Sequence, residues 1–124
     1  MIYAILFIGG GLGTVLRFAV YRLALTVLPA GFPFGTFIVN IFGSFVMGIL
    51  AAWFLRSPAL AAQWRLFLMT GVLGGFTTFS AFSLDAFELW QRQSHGLAVL
   101  YVISSVVASI AAVCAGGYLV RAVS

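Results

Sequence analysis

Residues 71–82 read Gly-Val-Leu-Gly-Gly-Phe-Thr-Thr-Phe-Ser-Ala-Phe, inside a hydrophobic stretch long enough to cross a bilayer. Three glycines and two adjacent threonines make poor helix interior, because glycine's backbone freedom and threonine's branched side chain both weaken the ladder. Backbone exposed to lipid has no partner for its amides, so an interruption at membrane depth must face protein or a polar cavity. The third helix is therefore expected to break near its middle. Transport proteins often place ion sites at such breaks, where freed carbonyls and hydroxyls can coordinate, so the function is expected to sit here.

Working outward, the sequence gives spans at approximately 2–28, 34–55, 66–90 and 97–120. They are separated by turn or polar segments at 29–33, 56–59 and 91–96. Of 124 residues, 64% are hydrophobic and 6% charged, with a mean hydropathy of +1.21. A soluble domain carries roughly 25% charged residues. The expectation is an all-α membrane protein of four transmembrane helices, a single transmembrane domain over residues 1–124. Arg17 follows the first apolar run instead of preceding it, so that run reads as a span and not as a removable signal peptide.

Charge placement bears on orientation. The cations are all arginines, with Arg56, Arg65 and Arg121 on one side of the expected topology and Arg17, Arg22 and Arg92 on the other. Topology follows the Arg and Lys bias near span ends. Three against three gives no bias, which suits a chain that inserts both ways and pairs as an antiparallel dimer; features other than charge could still fix a single orientation. Four short helices can hardly enclose a water-filled path alone, which also favours an oligomer. Gly9/Gly13, Ser44/Gly48 and Gly71/Gly75 supply the small residues at four-residue spacing that close helix contacts need.

Two spans carry polar stripes. Thr36, Asn40, Ser44 and Gly48 share one face of the second helix, and Tyr101, Ser105 and Ser109 one face of the fourth. Each hydroxyl taken singly also fits an interhelical hydrogen bond. Asn40 asks for more, since a buried amide has two donors and an acceptor to satisfy. The stripes are rich in donors and hold no carboxylate or lysine, which suits a small anion whose hydration is replaced by N–H and O–H groups. Arg17 or Arg22 at a mouth would raise the local anion concentration. Phe76, Phe79 and Phe82 recur every three residues beside the break. That spacing serves packing, yet the positive edge of an aromatic ring can also face an anion.

Here the sequence resembles a known family. Gly10–Arg17, Gly35–Gly48 and Gly71–Phe82, with its Gly-Gly-Phe-Thr-Thr-Phe-Ser-Ala-Phe core, are similar to the corresponding motifs of the Fluc (CrcB) fluoride channels. The fourth span matches only through its Tyr/Ser stripe. The resemblance implies an antiparallel dual-topology homodimer with two pores, lying as a multi-pass protein in the plasma membrane of a microbe (the bacterial inner membrane). It implies passive export of fluoride from the cytoplasm with chloride rejected. Phe79 and Phe82 resemble the family's paired pore phenylalanines and Asn40 its pore asparagine. Ser80 and Thr36 look like pore-side hydroxyls, Tyr101, Ser105 and Ser109 like members of the polar track, and Arg17 like the motif arginine of the first helix, at the vestibule. The break resembles the family's central site for a structural Na⁺ at the dimer interface, held by backbone carbonyls at Gly74 and Thr77. Oxygen-only ligation suits a hard cation. Ala81 stands where the family often has threonine.

Other classes fit less well. A small multidrug exporter shares four spans and dual topology, but resembles this chain poorly because its first-span glutamate is missing; Asp85 and Glu88 lie late in the third span. A non-transporting subunit of a larger complex is the second alternative. Thinly spread charge gives no nucleic-acid footprint. The Gly9–Gly13 run lacks the lysine of a phosphate loop, so no nucleotide is expected. His95 lies in a polar turn without a Cys or carboxylate at ligand or triad spacing, and Cys114 is alone in an apolar run. Partners are then fluoride, a second copy and membrane lipid, and no enzyme activity is expected.

Overall fold

The computed structural model describes residues 1–59 and 62–124, all helix, turn or extended connection with no strand among them. Four helical stretches are long and apolar enough to cross a membrane: Ile2–Val27, Phe34–Arg56, Ala62–Gln91 and His95–Val123. The first two are α1 and α2. The third divides into α3, residues 62–76, and α4, Phe79–Gln91; α5 is His95–Val123. The third and fourth begin two to four residues earlier than the hydropathy reading (66 and 97), because Ala62–Arg65 and His95-Gly96 are helical but not strongly apolar. Hydropathy locates the apolar middle of a helix, not its polar end.

Within α3, Leu66–Leu73 forms a π-helix. Such wide turns are usually short and cluster at functional sites. The turn between α1 and α2 passes through Gly31 at φ +106°, a conformation that glycine adopts without steric cost.

Two seams hold the bundle together: α1 packs along α3, and α2 packs along α5. In both, glycines bring backbones into contact. A Cβ on Gly13 would run into the Val72 carbonyl and lie 2.8 Å from the Phe76 nitrogen; one on Gly75 would strike the Gly10 carbonyl. Gly9 and Gly71 face each other the same way. In the second seam Gly48 lies against the Val113 carbonyl and Gly116 against the Phe45 carbonyl. Ser44, the expected partner of Gly48 in a small-residue pair, instead lines a cavity. A third cluster ties the 29–33 turn to α4 and α5: the Phe32 and Phe82 rings sit 5.4 and 5.2 Å from that of the fully buried Tyr101.

Much of the remaining surface is apolar and exposed, including Phe7, Leu12, Val15 and Phe18 on α1. A water-facing protein rarely tolerates such a surface; hydrocarbon or another protein covers it.

Candidate functional site

The helix of the third span stops at Phe76 and restarts at Phe79. Thr77 (φ −83°, ψ 158°) and Thr78 (φ −155°, ψ 120°) between them are extended. Several of the groups freed at this point find other partners. The Thr78 hydroxyl caps α4 by accepting the Ala81 N–H at 3.2 Å, the usual work of a threonine at this position. The Thr77 N–H and hydroxyl both donate to the Leu73 carbonyl, each at 2.9 Å. Asn40, from α2, donates Nδ2–H to the Thr78 carbonyl at 3.0 Å and accepts the Thr78 N–H at 2.8 Å. The carbonyls of Gly74 and Thr77 accept no hydrogen bond among the described residues.

Beside the break lies a cavity of about 310 Å³ lined by Asn40, Ser44, Phe79, Phe82, Ser105 and Ser109, together with Thr77, Thr78 and apolar residues of α2 and α5. The polar stripes of α2 and α5 face each other across it. Among the described residues, no ionisable side chain lines it. The Phe79 and Phe82 rings are 5.5 Å apart at 46°, yet differ in setting: Phe82 is buried, whereas Phe79 is 77% exposed on the surface of the single chain. Ser105 Oγ is buried and has no hydrogen-bond partner among the described residues. Buried polar atoms are normally satisfied, so this hydroxyl, on the cavity wall, is free to bond an occupant.

The remaining expected site residues are placed elsewhere. Ser80 and Arg17 share a second cavity with Thr14, Tyr21 and Thr78, on the other side of the break. Thr78 lines both cavities and separates them. Thr36 is buried one turn beyond Asn40, donating to the Tyr21 hydroxyl at 3.3 Å. It lines a third cavity, with Tyr21 and Asp85. Tyr101 donates to Asp85 Oδ2 at 3.1 Å. The α2 stripe is thus divided: Asn40 and Ser44 open on the first cavity, Thr36 on the third, and Gly48 is closed against α5.

Two features escaped the sequence reading. Thr78 was not singled out, although an Asn on a neighbouring span opposite a Thr-Thr pair in a weak helix is a usable signal for an amide-to-backbone pairing. Asp85 was noted only for its position, and its link to Tyr101 depends on how α4 and α5 are rotated. His95, expected in a polar turn, is instead the first residue of α5, and it stands against the Trp90 ring at 4.0 Å between centroids while remaining exposed. Cys114 is exposed and free.

Comparison with known proteins adds a separate line. The profile of the family described as "CrcB-like protein, Camphor Resistance (CrcB)" matches residues 4–117. A "Fluoride-specific ion channel FluC 2" of Nitrobacter hamburgensis is 50% identical over 121 residues, 98% of each chain. A "Fluoride-specific ion channel FluC" of Rhodopseudomonas palustris (strain BisB5) is 48% identical over the full length of both. One of Methylobacterium nodulans is 50% identical over 117 residues, 94% of each.

Proposed function

The chain belongs to the CrcB family, and from that premise we propose that it is a fluoride-selective channel that lets F⁻ leave the cytoplasm passively. The observation that carries the reading is the cavity beside the break, where Asn40, Ser44, Ser105 and Ser109 offer N–H and O–H groups next to two phenylalanine rings and no carboxylate intrudes. Fluoride is small and tightly hydrated, so entry requires donors that replace water. Neutral donors hold it weakly enough to let it leave, and ring edges add positive potential without giving water a competing site. Arg17, with Thr14 and Ser80 in the second cavity, attracts anions towards the Thr78 boundary. Thr36, Tyr101 and Asp85 belong to the far end of the path, where a carboxylate held by the Tyr101 hydroxyl marks the exit.

In this proposal the working unit is an antiparallel homodimer with two pores, in the bacterial inner membrane. The balanced arginines and the exposure of Phe79 and Gly74 on the single chain support it: a second copy would cover both. The unpaired carbonyls of Gly74 and Thr77 fit a structural Na⁺ by their chemistry. They are neutral, hard oxygen donors, and no cluster of His, Cys, Asp or Glu suited to another metal occurs among the described residues. The Gly74 and Thr77 carbonyls would hold the ion, which would supply positive charge beside the anion path.

Purified protein in liposomes loaded with fluoride, followed by a fluoride electrode with chloride as control, tests the reading. Fast fluoride release with negligible chloride release is expected. Folded, dimeric protein that releases neither ion would overturn the proposal and favour a subunit of a larger assembly.

A further inference from the structure

Both functional atoms of the Asn40 side chain are committed to a single backbone residue 38 positions away. Oδ1 accepts the Thr78 N–H at 2.8 Å and Nδ2 donates to the Thr78 carbonyl at 3.0 Å. In an uninterrupted helix the Thr78 N–H would bond the Gly74 carbonyl, four residues back. Asn40 takes that donor away, and Gly74 is left with an unpaired carbonyl. The Ala81 N–H, helical partner of the Thr77 carbonyl, is likewise taken by the Thr78 hydroxyl. Among the carbonyls that this helix end leaves without a ladder partner, those of Gly74 and Thr77 have lost their helical donors to side chains.

An amide suits this task because it carries a donor and an acceptor at the spacing of another peptide group. Serine is too short to reach Thr78 from the same position, and leucine has the size but neither group. Without the clamp, the Thr78 N–H and carbonyl would be unpaired in a partly buried site, a costly state. Returning the N–H to Gly74 relieves it, and that return withdraws one carbonyl from the cradle.

We propose that Asn40 is a positioning residue that holds the third span open and presents the Gly74 and Thr77 carbonyls to the cation, coupling the anion path to the cation site; this rests on the cradle reading above. One Nδ2 proton remains for the cavity that Asn40 lines. The same side chain thus contributes one N–H to the anion and fixes the backbone that meets the cation. Linkage is reciprocal, so an ion at the carbonyls also steadies the amide in the anion path.

The test separates the two roles. Sodium binding to the full-length protein in detergent is read from thermal unfolding as Na⁺ replaces N-methylglucamine at constant ionic strength, and fluoride efflux is measured separately in liposomes. Asn40→Leu and Asn40→Ser should raise the Na⁺ midpoint by about 5–150-fold, the usual range for coupling between two sites. Asn40→Asp still accepts the Thr78 N–H, the bond that keeps this donor from the Gly74 carbonyl, although it can no longer donate to the Thr78 carbonyl. It should hold the midpoint to less than about a fivefold change while losing fluoride flux, because a carboxylate replaces the N–H facing the anion. Should the leucine variant fail to fold, the Ser and Asp pair gives the same reading. Leu or Ser variants that melt at lower temperature yet keep the wild-type Na⁺ midpoint would mean that Asn40 is merely structural, and the coupling would be overturned with the cradle intact. A wild-type protein that does not distinguish Na⁺ from N-methylglucamine would overturn the cradle itself, and the coupling with it.

Discussion

The α1–α3 seam and the break between α3 and α4 are neighbours in the same span, and they are held by different means. Along the seam, Gly9, Gly13, Gly71 and Gly75 let two backbones touch, and nothing but shape fixes them. At the break, two residues leave the helix and their polar groups are claimed by Asn40 and by the Thr78 hydroxyl. The seam is intolerant of volume and indifferent to chemistry. The break adds a second demand: its residues are packed as closely, with Thr77 Cγ2 against Gly43, and also depend on specific donors and acceptors. A membrane span gains rigidity where small residues allow close van der Waals contact, and such a rigid base lets a neighbouring segment depart from helix without unravelling.

The largest effect is expected from adding volume to the seam. Gly75→Val drives a side chain into the Gly10 carbonyl, which is backbone and cannot rotate away. Overpacking of well-packed sites costs about 1–3 kcal/mol and more where backbone must move; little or no folded protein should be recovered on size-exclusion chromatography. Next comes chemistry at the break. Phe79→Ile and Phe82→Ile should each lower fluoride flux by about tenfold or more, equivalent to ~1.4 kcal/mol of lost ion stabilisation, while elution on size-exclusion chromatography stays unchanged. Full flux in both variants would refute a role for the rings. Ser105→Ala is expected to split stability from function. Removing a buried hydroxyl with no partner should leave the protein as stable or about 1 kcal/mol more stable, with flux reduced; unchanged flux would make Ser105 a packing residue. Smallest of all is Gly11→Ala. Gly11 sits on α1 between two seam glycines, but a Cβ there meets nothing within 4 Å. A change within about 1 kcal/mol, favourable if helix propensity dominates, should appear in thermal unfolding. A large loss at Gly11 would place this face of α1 against another chain.

The contrast between seam and break also sorts what was legible in the sequence. The spacing of Gly9/Gly13 and Gly71/Gly75 marked both sides of the α1–α3 contact, because only small residues permit it. The second seam is half legible: Gly48 stands out by its spacing, while Gly116, which closes the seam against Phe45, lies in a fourth span whose run of small residues gives no distinct signal. Asn40, Ser105 and Ser109 could be placed on helix faces from their four-residue spacing, and those faces meet at one cavity. Thr36 belongs to the same stripe by spacing but is turned into a pairing with Tyr21 one helical turn away. Helical periodicity gives direction around an axis and says nothing about what stands opposite at each height.

Four apolar stretches, few charges and turn residues between them determine an all-α membrane protein, because in hydrocarbon the cost of exposed polar backbone leaves helix as the solution for each stretch taken alone. The motifs at Gly10–Arg17, Gly35–Gly48 and Gly71–Phe82 likewise carry the family by themselves. What the tertiary structure decided is the pairing of groups distant in the chain: that Asn40 clasps Thr78, that Tyr101 donates to Asp85, and that Arg17 and Ser80 stand apart from the phenylalanine cavity. Hydropathy and propensity reside in each segment, whereas a hydrogen bond between helices depends on their relative rotation and offset. Those are set only when the glycine seams close.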